Sequence, residues 1–348
     1  MFEKNSFFNN HFINSKKYNE NLKKTKKVFS HFLDDLNNNY IPLLKTFEKD
    51  YKFSFSDKTI KKFSNYGNII IIGMGGSILG TKSIYFFLKN KIKKNVFFFD
   101  NLDINLNLKY QKIKNINDSC FIVVSKSGNT LETIVNLSSI FLKKKFKNKL
   151  VIVTEIADNS LMAIAKKYQA EIIEHKKFVG GRYSVLSEAG MFPASLMGLK
   201  IKEFKNLSSL IQNNKFVSSL MQNVASIYSL NLVGVKNSVI INYDSDANYL
   251  SYWYQQLVAE SLGKKGKGIT PIVSFGPKDQ HSLLQLYLDG PKDKFFTFFN
   301  FPTEKNNLTV PKEILPKSMS FLNKKKIKFI IDSQSNSVKK IFKLKKIP

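Results

Sequence analysis

The sequence IIIIGMGGSILG, residues 69–80, decides the fold, because four consecutive isoleucines run directly into a glycine-rich segment. A short unbroken apolar run is typical of a strand that is buried on both faces of a parallel sheet. Glycines directly after such a strand allow the backbone to approach a ligand closely. We therefore expect a parallel sheet with a binding site beyond the carboxyl ends of its strands.

Strand-like and helix-like segments alternate along the rest of the chain. In the first half, stretches with helical periodicity such as 131–146 separate apolar runs at 69–72, 96–99, 121–124 and 150–153. In the second half we predict a strand at 238–242, a helix at 247–262, a strand at 269–274, a helix from about Asp279 and a strand at 295–299. Residues 327–342 fit either one helix or a strand followed by a helix. This alternation predicts an α/β fold in which parallel sheets carry helices on both faces.

The same pattern suggests a division of the chain into four parts. They are a helical N-terminal arm (1–60), a first α/β domain (61–195), a helical connection (196–235) and a second, similar α/β domain (236–348). A chain of 348 residues is long enough for two domains of ordinary size.

Composition limits the classes of function. The formal net charge is +29, but the lysines are spread through the whole chain, so we expect no specific nucleic-acid partner. No segment approaches the roughly 18 uninterrupted apolar residues of a membrane span, and the first residues lack the apolar core of a signal peptide. The lone Cys120 leaves no internal disulfide and fits a reducing compartment. We therefore expect a soluble cytoplasmic protein that does not bind membranes.

The sequence SKSGNTLET, residues 125–133, follows the apolar run at 121–124 and begins a predicted helix. The N-terminus of a helix offers free N–H groups, and the three hydroxyls of Ser125, Ser127 and Thr130 add further donors beside Lys126. An ordinary helix cap needs only one of these hydroxyls. The nucleotide pattern G-x-x-x-x-G-K is absent, so the segment predicts a site for a single phosphate monoester.

A dinucleotide site is the alternative for the glycines at 73–80. The pattern G-x-G-x-x-G fails at its third glycine, where this chain has Ile78. Asp100, at the end of the next predicted strand, stands near the place of a ribose-binding acid. These residues by themselves leave the alternative open.

Among 55 basic residues Arg182 is the one arginine, and it lies in GGRYSVLS, residues 180–187. A guanidinium is a planar fork that stays charged, whereas a lysine ammonium is mobile and can lose its proton when buried. Such a group suits a site where negative charge appears on adjacent oxygens during a reaction. We expect Arg182 to be catalytic; the alternative is an accident of compositional drift.

Three further residues are candidates for chemistry. Gln256 and Glu260 are four residues apart on a predicted helix and so share one face. The alternative for Glu260 is an exposed surface position, which is where most helical glutamates lie. His281 lies in DQHSLLQ, residues 279–285, at the predicted start of a helix. That is a suitable place for a proton-transfer group, and a capping or core histidine fits equally well.

Together these motifs resemble those of the glucose-6-phosphate isomerase (phosphoglucose isomerase) family. The family patterns are GxGGSxLG, SKSGxTxET, GGRxSxxS, QxxxESxGK and DQHSxxQ, and the chain matches all five in order over about residues 60–300. The segment FDNLD, residues 99–103, also resembles the family, which removes Asp100 as support for a dinucleotide site. The resemblance implies two sugar-isomerase (SIS) domains, a homodimer, and interconversion of glucose 6-phosphate and fructose 6-phosphate in glycolysis and gluconeogenesis without metal or organic cofactor.

The resemblance also implies a role for each matching residue. Glu260 would move a proton between C2 and C1 of the open-chain sugar, Arg182 would stabilise the enediolate, and His281 would assist ring opening from the partner subunit. The substrate-binding residues would be Gly76, Ser77, Ser125, Lys126, Ser127, Gly128, Asn129, Thr130 and Gln256.

One departure from the family lies near the C-terminus. The family has a catalytic lysine in a stretch resembling FDQxGVExxK, and no such stretch follows His281 here. We therefore expect a second domain that is incomplete at its C-terminus. Two alternatives stay open: a non-catalytic or impaired sugar-phosphate-binding protein of the same fold, and a dual glucose/mannose phosphate isomerase.

Overall fold

A computed structural model describes residues 15–141, 148–205, 208–301 and 308–348. The chain forms two compact units, and each is discontinuous in sequence. The five-stranded unit comprises Val28–Val217 and Tyr252–Leu257, and the three-stranded unit comprises Ser218–Ser251, Val258–Pro348 and the described part of Met1–Lys27. The domain boundaries expected from the sequence remain a prediction.

The strands of the five-stranded unit are all parallel. They are β1 (Asn68–Gly73), β2 (Asn95–Phe99), β3 (Ser119–Val124), β4 (Leu150–Thr154) and β5 (Glu171–Glu174), in the order β2-β1-β3-β4-β5. The first four confirm the predicted apolar runs. The short β5 escaped prediction because two of its four residues are glutamates.

Helices cover both faces of this sheet. Within the described residues, the α-helices of both units are α1 (Ser15–Asn37), α2 (Asp57–Ser64), α3 (Gly76–Phe87), α4 (Leu106–Gln111), α5 (Leu131–Phe141), α6 (Ser160–Tyr168), α7 (Glu188–Leu196), α8 (Ser208–Ile211), α9 (Asn214–Leu232), α10 (Asn248–Leu262), α11 (Leu284–Asp289) and α12 (Ile327–Leu344). Alternate residues of one strand enter different cores: Ile71 packs with Phe63 and Phe192, whereas Ile70 packs with Leu137 and Leu161. Burial on both faces explains why the central strands are unbroken apolar runs.

The three-stranded unit repeats the arrangement on a smaller scale. Its parallel strands are β6 (Asn237–Asn242), β7 (Thr270–Phe275) and β8 (Lys294–Phe299), in the order β7-β6-β8. Val239 and Ile241 of β6 pack with Val338 and Phe342 of α12. On β8, Phe295 packs with apolar residues of α9. The predicted strands and the helix at 247–262 are confirmed.

Three local predictions are resolved by the structure. Residues 327–342 are part of one helix, α12. The prediction that a helix begins near Asp279 was wrong in detail. A 3-10 turn occupies Lys278–His281, and α11 begins at Leu284. The stretch predicted as helical at 131–146 is helical to Phe141, and its remainder lies outside the described residues. Within the described ranges, none of the helices is long and apolar enough to cross a membrane.

Candidate functional site

The candidate site begins where β1 and β3 end side by side. Gly73 of β1 pairs in register with Val124 of β3. A β-carbon on Gly73 would lie 2.9 Å from the carbonyl oxygen of Val124, closer than real β-carbons approach. Glycine therefore allows the two strand ends to lie together, and the loops that follow them leave the same edge of the sheet.

The loop after β3, which we call the phosphate loop (Ser125–Thr130), gathers hydroxyls at the start of α5. The buried Ser125 Oγ lies 2.8 Å from Thr130 Oγ1 and accepts a 3.2 Å hydrogen bond from the Gly128 N–H. Gly128 has a φ of +69°, a left-handed conformation that favours glycine. The Asn129 N–H donates to Ser127 Oγ at 3.3 Å. This arrangement can hold one phosphate group at a helix N-terminus.

Two side chains of the phosphate loop contact neighbouring loops. Lys126 Nζ donates to the carbonyl oxygen of Lys177 at 2.8 Å and lies 3.5 Å from the Glu155 carboxylate. Asn129 Oδ1 accepts hydrogen bonds from Ser160. The phosphate-binding role of Lys126 and Asn129 stays a prediction.

Gly76, at the start of α3, lies directly against the arginine turn, the 3-10 segment Gly181–Leu186. A β-carbon on Gly76 would overlap the backbone nitrogen of Arg182 and the carbonyl of Gly181. Ser184 Oγ donates to the carbonyl oxygen of Gly76 at 3.3 Å. Two motifs separated by about a hundred residues in sequence therefore form one packed unit.

Arg182 itself is half-buried and is held from two sides. Its guanidinium carbon lies 4.5 Å from the centre of the Tyr183 ring. Its carbonyl oxygen accepts a 2.9 Å hydrogen bond from Nε1 of Trp253 on α10. Gln256, one turn further along α10, places its Nε2 atom 3.2 Å from where a β-carbon on Gly75 would stand. The structure thus places Gly76 against Arg182 and Gln256 beside Gly75, and the substrate-binding role of these residues stays a prediction.

A buried carboxylate beneath the arginine turn escaped the sequence analysis. Glu188, the first residue of α7, is fully buried. It accepts hydrogen bonds from the Ser54 N–H at 3.0 Å and from the Tyr51 hydroxyl at 3.1 Å. Burial beside this carboxylate raises the pKa of Tyr51. The signal in the sequence is a lone acid inside an apolar stretch, directly after the GGRYSVLS motif.

Lys205 joins the same buried region and also escaped prediction. Its Nζ donates to the carbonyl oxygens of Thr46 and Leu186, and it lies 4.6 Å from the centres of the Tyr51 and Phe53 rings. Because Leu186 ends the arginine turn, Lys205 fixes that end. Burial lowers the pKa of Lys205 to about 8, while the negative charge of Glu188 acts in the opposite direction.

Glu260 and His281 belong to the three-stranded unit. Glu260 is exposed two residues before the end of α10, and His281 is exposed at the end of the 3-10 turn Lys278–His281. Asp279 fixes that turn by accepting a 2.7 Å hydrogen bond from the Phe275 N–H. Glu260 precedes β7 and His281 follows it. The roles of Glu260 and His281 stay predictions.

Comparison with known proteins identifies relatives of this chain. The family model described as phosphoglucose isomerase matches residues 37–292. A glucose-6-phosphate isomerase from Methanocaldococcus jannaschii is 36% identical over 282 residues, which is 78% of this chain and 68% of the relative. A probable glucose-6-phosphate isomerase from Methanococcus maripaludis is 32% identical over 81% of this chain and 64% of its own length. The chain thus spans about two thirds of these relatives.

Solved structures share the fold. A hypothetical protein from Thermus thermophilus superimposes with a TM-score of 0.73 at 22% identity, covering 89% of this chain and 75% of that one. A glucose-6-phosphate isomerase from Chlamydia trachomatis gives a TM-score of 0.61 at 21% identity, with 81% and 57% covered. These likenesses support the α/β architecture with parallel sheets between helices.

Proposed function

The chain belongs to the phosphoglucose isomerase family, and from this premise we propose that it interconverts glucose 6-phosphate and fructose 6-phosphate. One observation carries the proposal. Three separate motifs meet within the five-stranded unit, where Gly76 lies against the backbone of Arg182 and Gln256 lies beside Gly75. A protein that only bound the phosphate would need the phosphate loop but not this arrangement around its one arginine.

In the proposed reaction Glu260 acts as a base and Arg182 as an electrostatic stabiliser. The Glu260 carboxylate removes the proton from C2 of the open-chain aldose, and the electron pair of that bond forms the C1–C2 double bond while charge moves to O1. A proton passes from O2 to O1, and Glu260 returns its proton to C1 to give the ketose. Arg182 favours the enediolate because the charge on adjacent oxygens exists only between the two transfers.

Binding of the substrate depends on the five-stranded unit. The hydroxyls and N–H groups of the phosphate loop would hold the phosphate, and Gly76 and Ser77 would contact the sugar. Gln256 would fix the sugar's orientation. The guanidinium and the start of α5 would give the site a positive potential that suits a dianionic substrate.

We further propose that the protein is a homodimer in which His281 of one subunit completes the site of the other. Along the chain Glu260 precedes the six-residue strand β7 and His281 follows it. A second copy offers a way to bring a histidine and a glutamate to one substrate. His281 would then transfer the proton that opens the sugar ring. A cytoplasmic location is expected on the ground of the lone, unpaired Cys120.

The direct test is a coupled assay of purified protein with fructose 6-phosphate, together with exchange of the C2 proton of glucose 6-phosphate in deuterated water. We expect turnover in the ordinary enzymatic range, about 10–1000 per second. Glu260→Gln should bind the substrate with parental affinity and lose the exchange. Arg182→Lys should reduce turnover about a hundredfold or more. A protein that binds fructose 6-phosphate but neither turns it over nor exchanges the C2 proton of glucose 6-phosphate would overturn the enzymatic proposal and leave a binding protein.

A further inference from the structure

The first turn of α6 and the phosphate loop share one set of hydrogen bonds. A helix begins with N–H groups that have no partner within the helix. In α6 the Ser160 N–H donates to Asn129 Oδ1 at 2.9 Å, the Leu161 N–H to the Gly128 carbonyl oxygen at 3.0 Å, and the Met162 N–H to Asn159 Oδ1 at 2.9 Å. Two of these three acceptors belong to the phosphate loop, so the loop caps this helix.

Asn159, the N-cap residue of α6, also contacts the phosphate loop by its side chain. It is buried, with 7% of its surface exposed, and its Nδ2 donates to the Glu155 carbonyl oxygen at 3.2 Å. A β-carbon built on Gly128 would overlap the Asn159 amide group, so this amide lies directly against the Gly128 α-carbon. Both polar atoms of the Asn159 amide are therefore hydrogen-bonded, and the amide contacts the loop at Gly128.

Gly128 is the residue through which this contact can influence binding. Its left-handed backbone directs its N–H to the Ser125 hydroxyl, which in turn lies 2.8 Å from the Thr130 hydroxyl. A change in the Gly128 backbone would therefore move both hydroxyls. Asn159 does not need to contact the substrate in order to set the positions of these groups.

We propose that Asn159 is a positioning residue that fixes the shape of the phosphate loop and thereby the affinity for the sugar phosphate. This inference rests on the proposed function, because it assumes that the loop holds the substrate's phosphate. An ordinary N-cap would satisfy only the N–H groups of its own helix. The contact with Gly128 adds a role that helix stability alone does not require.

Three variants separate positioning from helix stability. Asn159→Ala removes both the cap and the contact with Gly128. Asn159→Ser keeps an oxygen that can cap α6 but is too short to retain the amide contact. The matched control is Ser56→Ala, which removes the N-cap of α2 in the same unit, where Ser56 Oγ accepts a 3.2 Å hydrogen bond from the Thr59 N–H.

The measurements are calorimetric binding of fructose 6-phosphate and of inorganic phosphate, the kinetic constants kcat and KM, and the melting temperature. We expect Asn159→Ala and Asn159→Ser to raise both dissociation constants and KM about tenfold, the equivalent of losing one capping interaction, with kcat within about twofold. Ser56→Ala should lower the melting temperature as Asn159→Ala does and bind both ligands with parental affinity.

Two results would count against the proposal in different ways. If Asn159→Ser, or a folded Asn159→Ala, binds both ligands with parental affinity, Asn159 is only a helix cap and the inference is wrong. If the parent protein binds neither fructose 6-phosphate nor phosphate, the proposed function fails first, and the positioning role fails with it. The parent titration therefore distinguishes the two failures.

Discussion

Trp253 Nε1 donates a 2.9 Å hydrogen bond to the carbonyl oxygen of Arg182. Trp253 lies on α10, one turn before Gln256, so the same helix that carries Gln256 also holds the backbone of the chain's one arginine. The Trp253 ring packs with Val185 and Leu186, the apolar end of the arginine turn. The position of the guanidinium therefore depends on a residue outside the GGRYSVLS motif.

Replacing Trp253 by Phe should lower turnover while leaving substrate affinity almost unchanged. Phe retains most of the ring packing and loses the N–H donor, and one such hydrogen bond contributes about 0.5–1.5 kcal/mol. We expect kcat to fall about three- to tenfold, because Arg182 acts chiefly on the enediolate, with KM within about twofold. Steady-state kinetics test this, and an unchanged melting temperature shows that the variant is as stable as the parent. A parental kcat would mean that the arginine turn is rigid without the bond.

Replacing Gly76 by Ala should displace the arginine turn. The added methyl group would overlap the backbone at Gly181 and Arg182, and backbone atoms cannot swing aside as a flexible side chain can. We expect kcat to fall about a hundredfold, as when an oriented charged donor is lost.

The matched control for Gly76→Ala is Gly181→Ala, because a β-carbon on Gly181 meets no atom within 4 Å. Gly181→Ala should keep the parental melting temperature, and circular dichroism should show both variants folded. Parental turnover in Gly76→Ala would show that the two turns can separate without loss of the site.

The proposed sharing of each site between two subunits predicts complementation between a Glu260 variant and a His281 variant. Glu260→Gln and His281→Ala should each be nearly inactive on the cyclic substrate when purified alone. Mixed subunits should recover about a quarter of the parental activity, because half of the random dimers would be mixed and each would contain one intact site. Assays after mild denaturation and refolding of an equimolar mixture measure this. Absence of recovery, with mixed dimers demonstrated by native mass spectrometry, would place both residues in the site of one chain.

The pKa of Lys205 predicts a specific dependence of stability on pH. Burial lowers this pKa to about 8 in the folded protein from an ordinary value of 10.5. Between these values the unfolded chain binds more protons than the folded chain, so the folded state gains stability as pH rises through the window. Below about pH 8 the lysine is charged in both states, and burial of the charge destabilises the folded protein.

Lys205→Met should remove this dependence. Relative to the variant, the parent should gain up to about 3 kcal/mol of unfolding free energy between about pH 8 and 10.5. Urea titrations of both proteins at three pH values measure the difference, in which the contributions of all other groups cancel. A difference that stays constant with pH would show that the pKa of Lys205 is not lowered in the folded state.

Much of the fold could be predicted because the relevant information is local. The strands β1, β3 and β4 are buried on both faces, and such strands appear as unbroken apolar runs. Ser125 and Thr130 are five residues apart and lie in a single loop, so the clustering of their hydroxyls could be predicted from the sequence. The weakly apolar β5 and the start of α11 were misjudged, because their conformations depend on neighbours rather than on their own periodicity.

The local sequence was enough to predict most of the strands, the loop Ser125–Thr130 and the residue types of the proposed chemistry. Only the tertiary structure decided what supports them: Asn159 against Gly128, Trp253 on the Arg182 carbonyl, and Lys205 at the end of the arginine turn. These relationships join residues far apart in the chain, and side-chain contacts of that kind leave no periodic or compositional signal. They arise when packing brings the separate segments within hydrogen-bonding distance.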